Sequence, residues 1–257
     1  MICRIEIFLG PDVRLSYQMG PAFHGAIMEM LPEELCETLH QPIVHPYSQY
    51  IEHRNKGWYW VVTALNADLA KGMIYDALLQ CDRIELKNAG TTLNFVSKQL
   101  LEVPMEELSK LMYRLDGAGN IDLGFITPVS FKQDGRYLFY PDIRSMYISL
   151  LNKYGAAQPD QNVRDDDLLD ELVNNTRISR YNLRSVIYHV EEGRVPAFIG
   201  SLSLRFNGTK TMRSFAEFLF HFGEYSGIGI KGGLGMGGMR ILKADKDRRR
   251  PGWIKNS

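Results

Sequence analysis

The chain is 257 residues long, 45% apolar and 23% charged, and its 30 Lys and Arg residues balance 30 Asp and Glu. That length fits one large or two small domains whose core needs no disulfide or zinc staple. Zero net charge excludes recognition of a polyanion by bulk charge and leaves room for a local basic patch. Cys3, Cys36 and Cys81 are scattered and form no CxxC, which excludes a zinc ribbon and a disulfide framework. No apolar run approaches the roughly 18 residues of a membrane span. The opening MICRIEIFLG reads as a strand rather than a signal peptide, so a cytoplasmic protein with no membrane partner is expected.

In the first half, residues 1–9 form the expected strand. A helix follows over about 21–31, with Phe23, Ala26, Ile27 and Met30 on one stripe. Pro32-Glu33-Glu34 opens a second, short helix that buries Leu35 and Leu39, and Pro42 stops it just past His40. Strands at about 45–54 and 57–65 flank the turn Asn55-Lys56-Gly57. A helix over about 66–79 is capped by Asn66, and strand-like segments follow at about 82–87 and 92–97. Pro104 opens a helix that ends near Leu115, and residues 116–120 (DGAGN) are the clearest linker.

The second half starts with a strand over about 121–131 and the turn Gln133-Asp134-Gly135. Asp142 caps a helix that Gly155 is expected to end, and a short acidic helix covers about 165–175. Long strands at about 177–191 and 194–207, a helix at about 210–224, a Gly-rich loop and a strand at about 236–243 complete it. Each half thus reads β-α-β-β-α-β. The fold class is α+β with tandem ferredoxin-like (RRM-like) domains, residues 1–118 and 119–243, followed by a basic tail over 244–257. That fold alone carries no function.

The Gly-rich loop is the strongest chemical signal. Seven of the twelve residues 227–238 are glycine, with Lys231 inside. Bare backbone amides with a cation among them can cradle phosphate oxygens. The alternative is a tight helix-to-strand connection that needs bends. Gly227, Gly229 and Gly232 match G-x-G-x-x-G, yet the match follows a helix and precedes a strand, so a dinucleotide fold is excluded on context.

The pattern Gly227-x-Gly229 … Gly235-x-Gly237 around Lys231 resembles the C-terminal signature of the RAMP superfamily. Three other stretches resemble its CRISPR-associated precursor-crRNA endoribonucleases. They are residues 20–29 (GPAFHGAIME), Leu39-His40 followed by His45-Pro46-Tyr47-Ser48, and residues 125–151 with Thr127-Pro128 and Pro141-Asp142. The resemblance covers nearly the whole chain. It implies metal-independent cleavage of CRISPR repeat RNA, in which a 2′-hydroxyl attacks the adjacent phosphate to leave a 2′,3′-cyclic phosphate and a 5′-hydroxyl. A second reading is a non-cleaving subunit that holds crRNA in an effector complex.

Such chemistry needs one group to take a proton and one to give it back, and histidine suits both. By the resemblance His40 is the first catalytic candidate. On the residues alone it sits at a helix C-terminus, where the dipole favours imidazolium and where a capping histidine would also sit. His45 and His24 are the further candidates, because the family's lysine is missing between Met1 and Lys56 and Met28 stands where some branches carry a tyrosine. The RNA-binding candidates are Gly227, Gly229, Lys231, Gly235, Gly237, Arg180, Arg184 and Tyr47. No metal and no cofactor are expected. The expected partner is a repeat RNA stem, with the protein a monomer or homodimer.

Overall fold

The computed structural model describes residues 1–40, 46–115, 117–158, 165–191 and 193–242. The first half comprises β1 (Ile2–Gly10), α1 (Gly20–Met30), α2 (Glu33–His40), β2 (Tyr47–Arg54), β3 (Gly57–Ala64) and α3 (Ala67–Leu69). Asn66 caps α3 by accepting from the Leu69 amide at 2.9 Å, and α3 runs directly into a π-helix over Ala70–Leu78. β4 (Arg83–Leu86) and β5 (Thr91–Asn94) form a side hairpin, and β6 (Ser97–Val103) and α4 (Met105–Arg114) follow.

The main sheet of this half runs β2-β3-β1-β6, antiparallel throughout. Alternate residues of β1 (Cys3, Ile5, Ile7 and Leu9) point inward and join Phe23 and Ile27 of α1 in one core. The fourth strand is β6, not either of the strand-like segments expected at 82–87 and 92–97. Those pair with each other off the sheet. β6 gave no periodic signal because it lies at the sheet edge, where Leu100 and Leu101, on opposite faces, are both exposed.

The second half comprises β7 (Asn120–Val129), β8 (Phe131–Gln133), β9 (Arg136–Leu138), α5 (Ile143–Ala157), α6 (Asp166–Asn174), β10 (Thr176–Val190), β11 (Gly193–Phe206), α7 (Lys210–Ser226) and β12 (Met239–Ile241). Its main sheet runs β10-β11-β7-β12, the same permutation as the first. The molecule is therefore α+β with tandem ferredoxin-like sheets. Asp142 caps α5 through the Ser145 amide at 2.8 Å. Gly155 does not end that helix: α5 continues to Ala157, and Gly155 takes no left-handed φ.

α7 is buried more widely than one amphipathic stripe requires. Phe218, Leu219, Phe220 and Phe222 are each at most 1% exposed. The helix packs on α5 on one side and on α4 and β2 of the first half on another. Each such side chain stabilises the fold by about 2 kcal/mol relative to exposure.

Candidate active site

The site forms where the end of α7 and the Gly-rich loop of the second half close over β2 of the first. Residues Tyr47 to Glu52 of β2 are consecutively buried, which a strand with one wet face never is. The last carbonyls of α7 receive donors from three elements. Arg4 of β1 donates to Glu224 O, Ser48 of β2 to Tyr225 O at 2.8 Å, and Lys153 of α5 to Ser226 O at 3.1 Å. Two of these donors are cations at the negative end of a helix dipole. Nearby, the buried Glu52 carboxylate accepts from Arg54 of its own strand and from Arg240 of β12, an ion pair that crosses the seam. Arg240 spends its charge on this buried carboxylate while its own side chain stays partly exposed.

Lys153 is nearly enclosed, 7% exposed, and burial pushes its ammonium down to about 7. The unfolded chain keeps the ordinary lysine value. Between about pH 7 and about pH 10 the unfolded state therefore binds more protons, and stability rises with pH across that window. Replacing Lys153 with Met is expected to flatten this rise in melting temperature. A wild-type curve that climbs no more than the variant's contradicts the assignment.

The Gly-rich loop is held tightly. Gly227, Gly229, Gly235 and Gly237 have φ of +66°, +80°, +95° and +78°, and all four are buried. A Cβ on Gly237 would strike Ile228 O, and one on Gly233 would lie 2.5 Å from the Tyr47 hydroxyl oxygen. Most amides of the loop are spent inside the chain. Ile228 N donates to Gly237 O, Ile230 N to Ser130 O, Gly237 N to Pro128 O, and the amides of Gly229 and Gly238 to the hydroxyls of Ser149 and Thr127. The glycines therefore serve the tight connection between α7 and β12. They do not present a continuous run of bare amides, because the close packing needs those amides first. At the crest, Lys231 takes φ +57° and is partly exposed with Gly232.

Three side chains grip this loop, two of them from the first half. The Gln49 carboxamide is fully buried, donates to Gly20 O at 2.8 Å and Gly233 O at 2.9 Å, and accepts from the Trp60 indole at 2.9 Å. The Tyr47 hydroxyl lies 2.5 Å from His24 Nδ1 and 3.4 Å from Gly233 O. From the second half, the Tyr188 hydroxyl donates to Leu234 O at 2.6 Å beside Tyr17 O at 3.1 Å. Tyr47 and Tyr188 are both held protonated by burial, which pushes each phenol far above its usual range.

Among the catalytic candidates, His24 is thus at the seam, half-buried on α1 and oriented by Tyr47 against the Gly-rich loop. His40 is the last residue of α2. His45 lies outside the described residues. Among the RNA-binding candidates, Arg180 and Arg184 are exposed on the edge strand β10. Tyr47 is 3% exposed, so its ring cannot meet a base; it orients His24 instead. Gln49, Tyr188 and Lys153 carried no sequence signal, because their partners lie far along the chain. Among the described residues, no group of three or more His, Cys, Asp or Glu side chains is placed to share a metal ion. No helix there is long and apolar enough to cross a membrane.

Known proteins are similar to this chain in sequence and in fold. A family model described as CRISPR-associated endoribonuclease Cas6 matches residues 123–239. A protein of that name from Mycobacterium tuberculosis is 34% identical over 227 residues, which is 87% of this chain and 71% of its own. One from Streptococcus thermophilus is 32% identical over 226 residues, 88% of this chain and 92% of its own. Among solved structures, a Cas6 product complex is similar with a TM-score of 0.78 and 18% identity, covering 95% of this chain and 100% of the other. Thermus thermophilus Cas6 is similar with a TM-score of 0.65 and 19% identity, covering 94% and 97%.

Proposed function

The chain belongs to the CRISPR-associated endoribonuclease Cas6 family and is an RNA-cleaving enzyme, and we propose that it cuts CRISPR repeat RNA by driving the substrate's own 2′-hydroxyl onto the neighbouring phosphate. The non-cleaving alternative falls with that membership. One imidazole takes the 2′-hydroxyl proton as the new O–P bond forms. A second protonates the 5′-oxygen as the old O–P bond breaks. The products are a 2′,3′-cyclic phosphate and a 5′-hydroxyl, and no oxidant, nucleotide or external nucleophile is consumed. His40 is the principal proton-transfer group in this reading, with His45 and His24 as its partners.

The observation that carries the proposal is the Tyr47 bridge. One hydroxyl touches both an imidazole of the first half and the backbone of the Gly-rich loop of the second. RNA lying along that loop thus runs beside the histidine-bearing helix. The exposed Arg177, Arg180 and Arg184 of β10 favour a bound phosphate backbone on the same half. Lys231 and Gly232 at the loop crest add a local positive contact.

The test is incubation of the purified chain with repeat RNA in excess EDTA, with mapping of the product ends. The expected result is unimpaired cleavage and a cyclic phosphate on the upstream fragment. Loss of cleavage in EDTA, or a 3′-hydroxyl end, overturns the mechanism.

A further inference from the structure

We infer that the β8–β9 hairpin and the two residues after it form a stacking platform for unpaired nucleotides that flank the repeat stem, an inference that rests on the reading of the protein as a repeat-RNA nuclease. Phe139 and Tyr140 are 46% and 53% exposed. Isolated exposed rings are ordinary, but consecutive ones beside exposed cations are not. Their planes stand at 76° with centroids 6.4 Å apart, so a flat ligand lying on one ring meets the edge of the other.

The charge around them fits an anionic chain. Lys132 of β8 and Arg136 of β9 are both exposed, against one acid, Asp134, at the turn. Lys132 and Tyr137 are cross-strand partners, with the ammonium 6.0 Å from the ring centroid. Aromatic faces interleaved with cations are what single-stranded nucleic acid needs: stacking holds each base, and the cations follow the backbone.

The position is also specific. The hairpin grows from the end of β7, and that end is bonded to the Gly-rich loop. Pro128 O accepts from Gly237 N at 2.9 Å, and Ser130 O from Ile230 N at 3.0 Å. Tyr137 packs against the same small cluster as Ile230, built on Tyr188, Val195, Ala197 and Met236. An RNA strand leaving the loop crest therefore meets the platform next.

The experiment compares two RNAs with the intact protein: the repeat stem alone, and the stem with a short unpaired flank. A third RNA carries the same flank with abasic sites. The readout is the ratio of Kd for stem alone to Kd for flanked stem. One stacked base contributes about tenfold to that ratio in the wild type. The ratio is expected to collapse towards one in the double variant Phe139→Ala/Tyr140→Ala, and in the wild type with the abasic flank. It is expected to persist in Phe139→Trp/Tyr140→Trp, which keeps the rings. An undiminished ratio in the alanine variant overturns the platform, as does a wild-type ratio of one with the stem still bound. Failure of the wild type to bind the stem at all sinks the nuclease reading instead, and the platform with it.

Discussion

Replacement of His40 by Ala is expected to slow single-turnover cleavage of repeat RNA by about 10²–10⁴-fold, the worth of one positioned proton-transfer group, while Kd for the RNA stays near the wild-type value. The body of α2, the helix that ends at this residue, is anchored by packing. α2 presses Leu35 onto Gly72 of the π-helix so closely that a Cβ there would strike the leucine. Cys36 Sγ lies 3.3 Å from Met28 O at the end of α1. Leu39, one residue before the histidine, is buried. Unchanged cleavage removes His40 from the chemistry and passes its role to His24 or His45.

The second large effect is expected at a residue with no side chain at all. Gly20 opens α1 at an ordinary helical φ, so alanine there gains roughly 1 kcal/mol of helix propensity. Its Cβ, however, would lie 2.9 Å from Gly235 Cα and closer still to Leu234 O and the Tyr188 hydroxyl. The added methyl must push α1 and the Gly-rich loop apart. It also strains the Gln49 bonds to Gly20 O and Gly233 O that join them. A displacement of about 1 Å between reacting groups costs on the order of 10²-fold in rate. Gly20→Ala is therefore expected to lose about that much cleavage while its far-ultraviolet circular dichroism is retained. A rate within a factor of about three of wild type shows that the contact between helix and loop does not position the chemistry.

Local patterns were legible wherever the physics was local. Asp142 and Asn66 cap the helices they were expected to cap, because an N-cap needs only a side-chain acceptor within three residues of the orphan amides. β6 was not legible, since an edge strand exposed on both faces has no alternation to read. The Gly-rich loop was located correctly, but its amides turned out to be spent on Ser130, Ser149, Pro128 and Thr127, partners that no spacing reveals. Tyr47 carried a family-like motif yet sits buried under the loop rather than on the exposed surface. Gln49 looks like one polar residue in a strand. Its importance comes from carbonyls 29 and 184 positions away, and only the closed seam brings those together.

β2 belongs to two interiors at once: Ile51 feeds the first core, while Ser48 and Glu52 hold the end of α7 and β12. Neither half can therefore drift independently over evolutionary time. A chimera that joins the front of one relative to the back of another would inherit mismatched surfaces along this strand unless β2 and the Gly-rich loop came from the same parent. Substrate preference can diversify on the outer rims, while the buried strand between the halves constrains both.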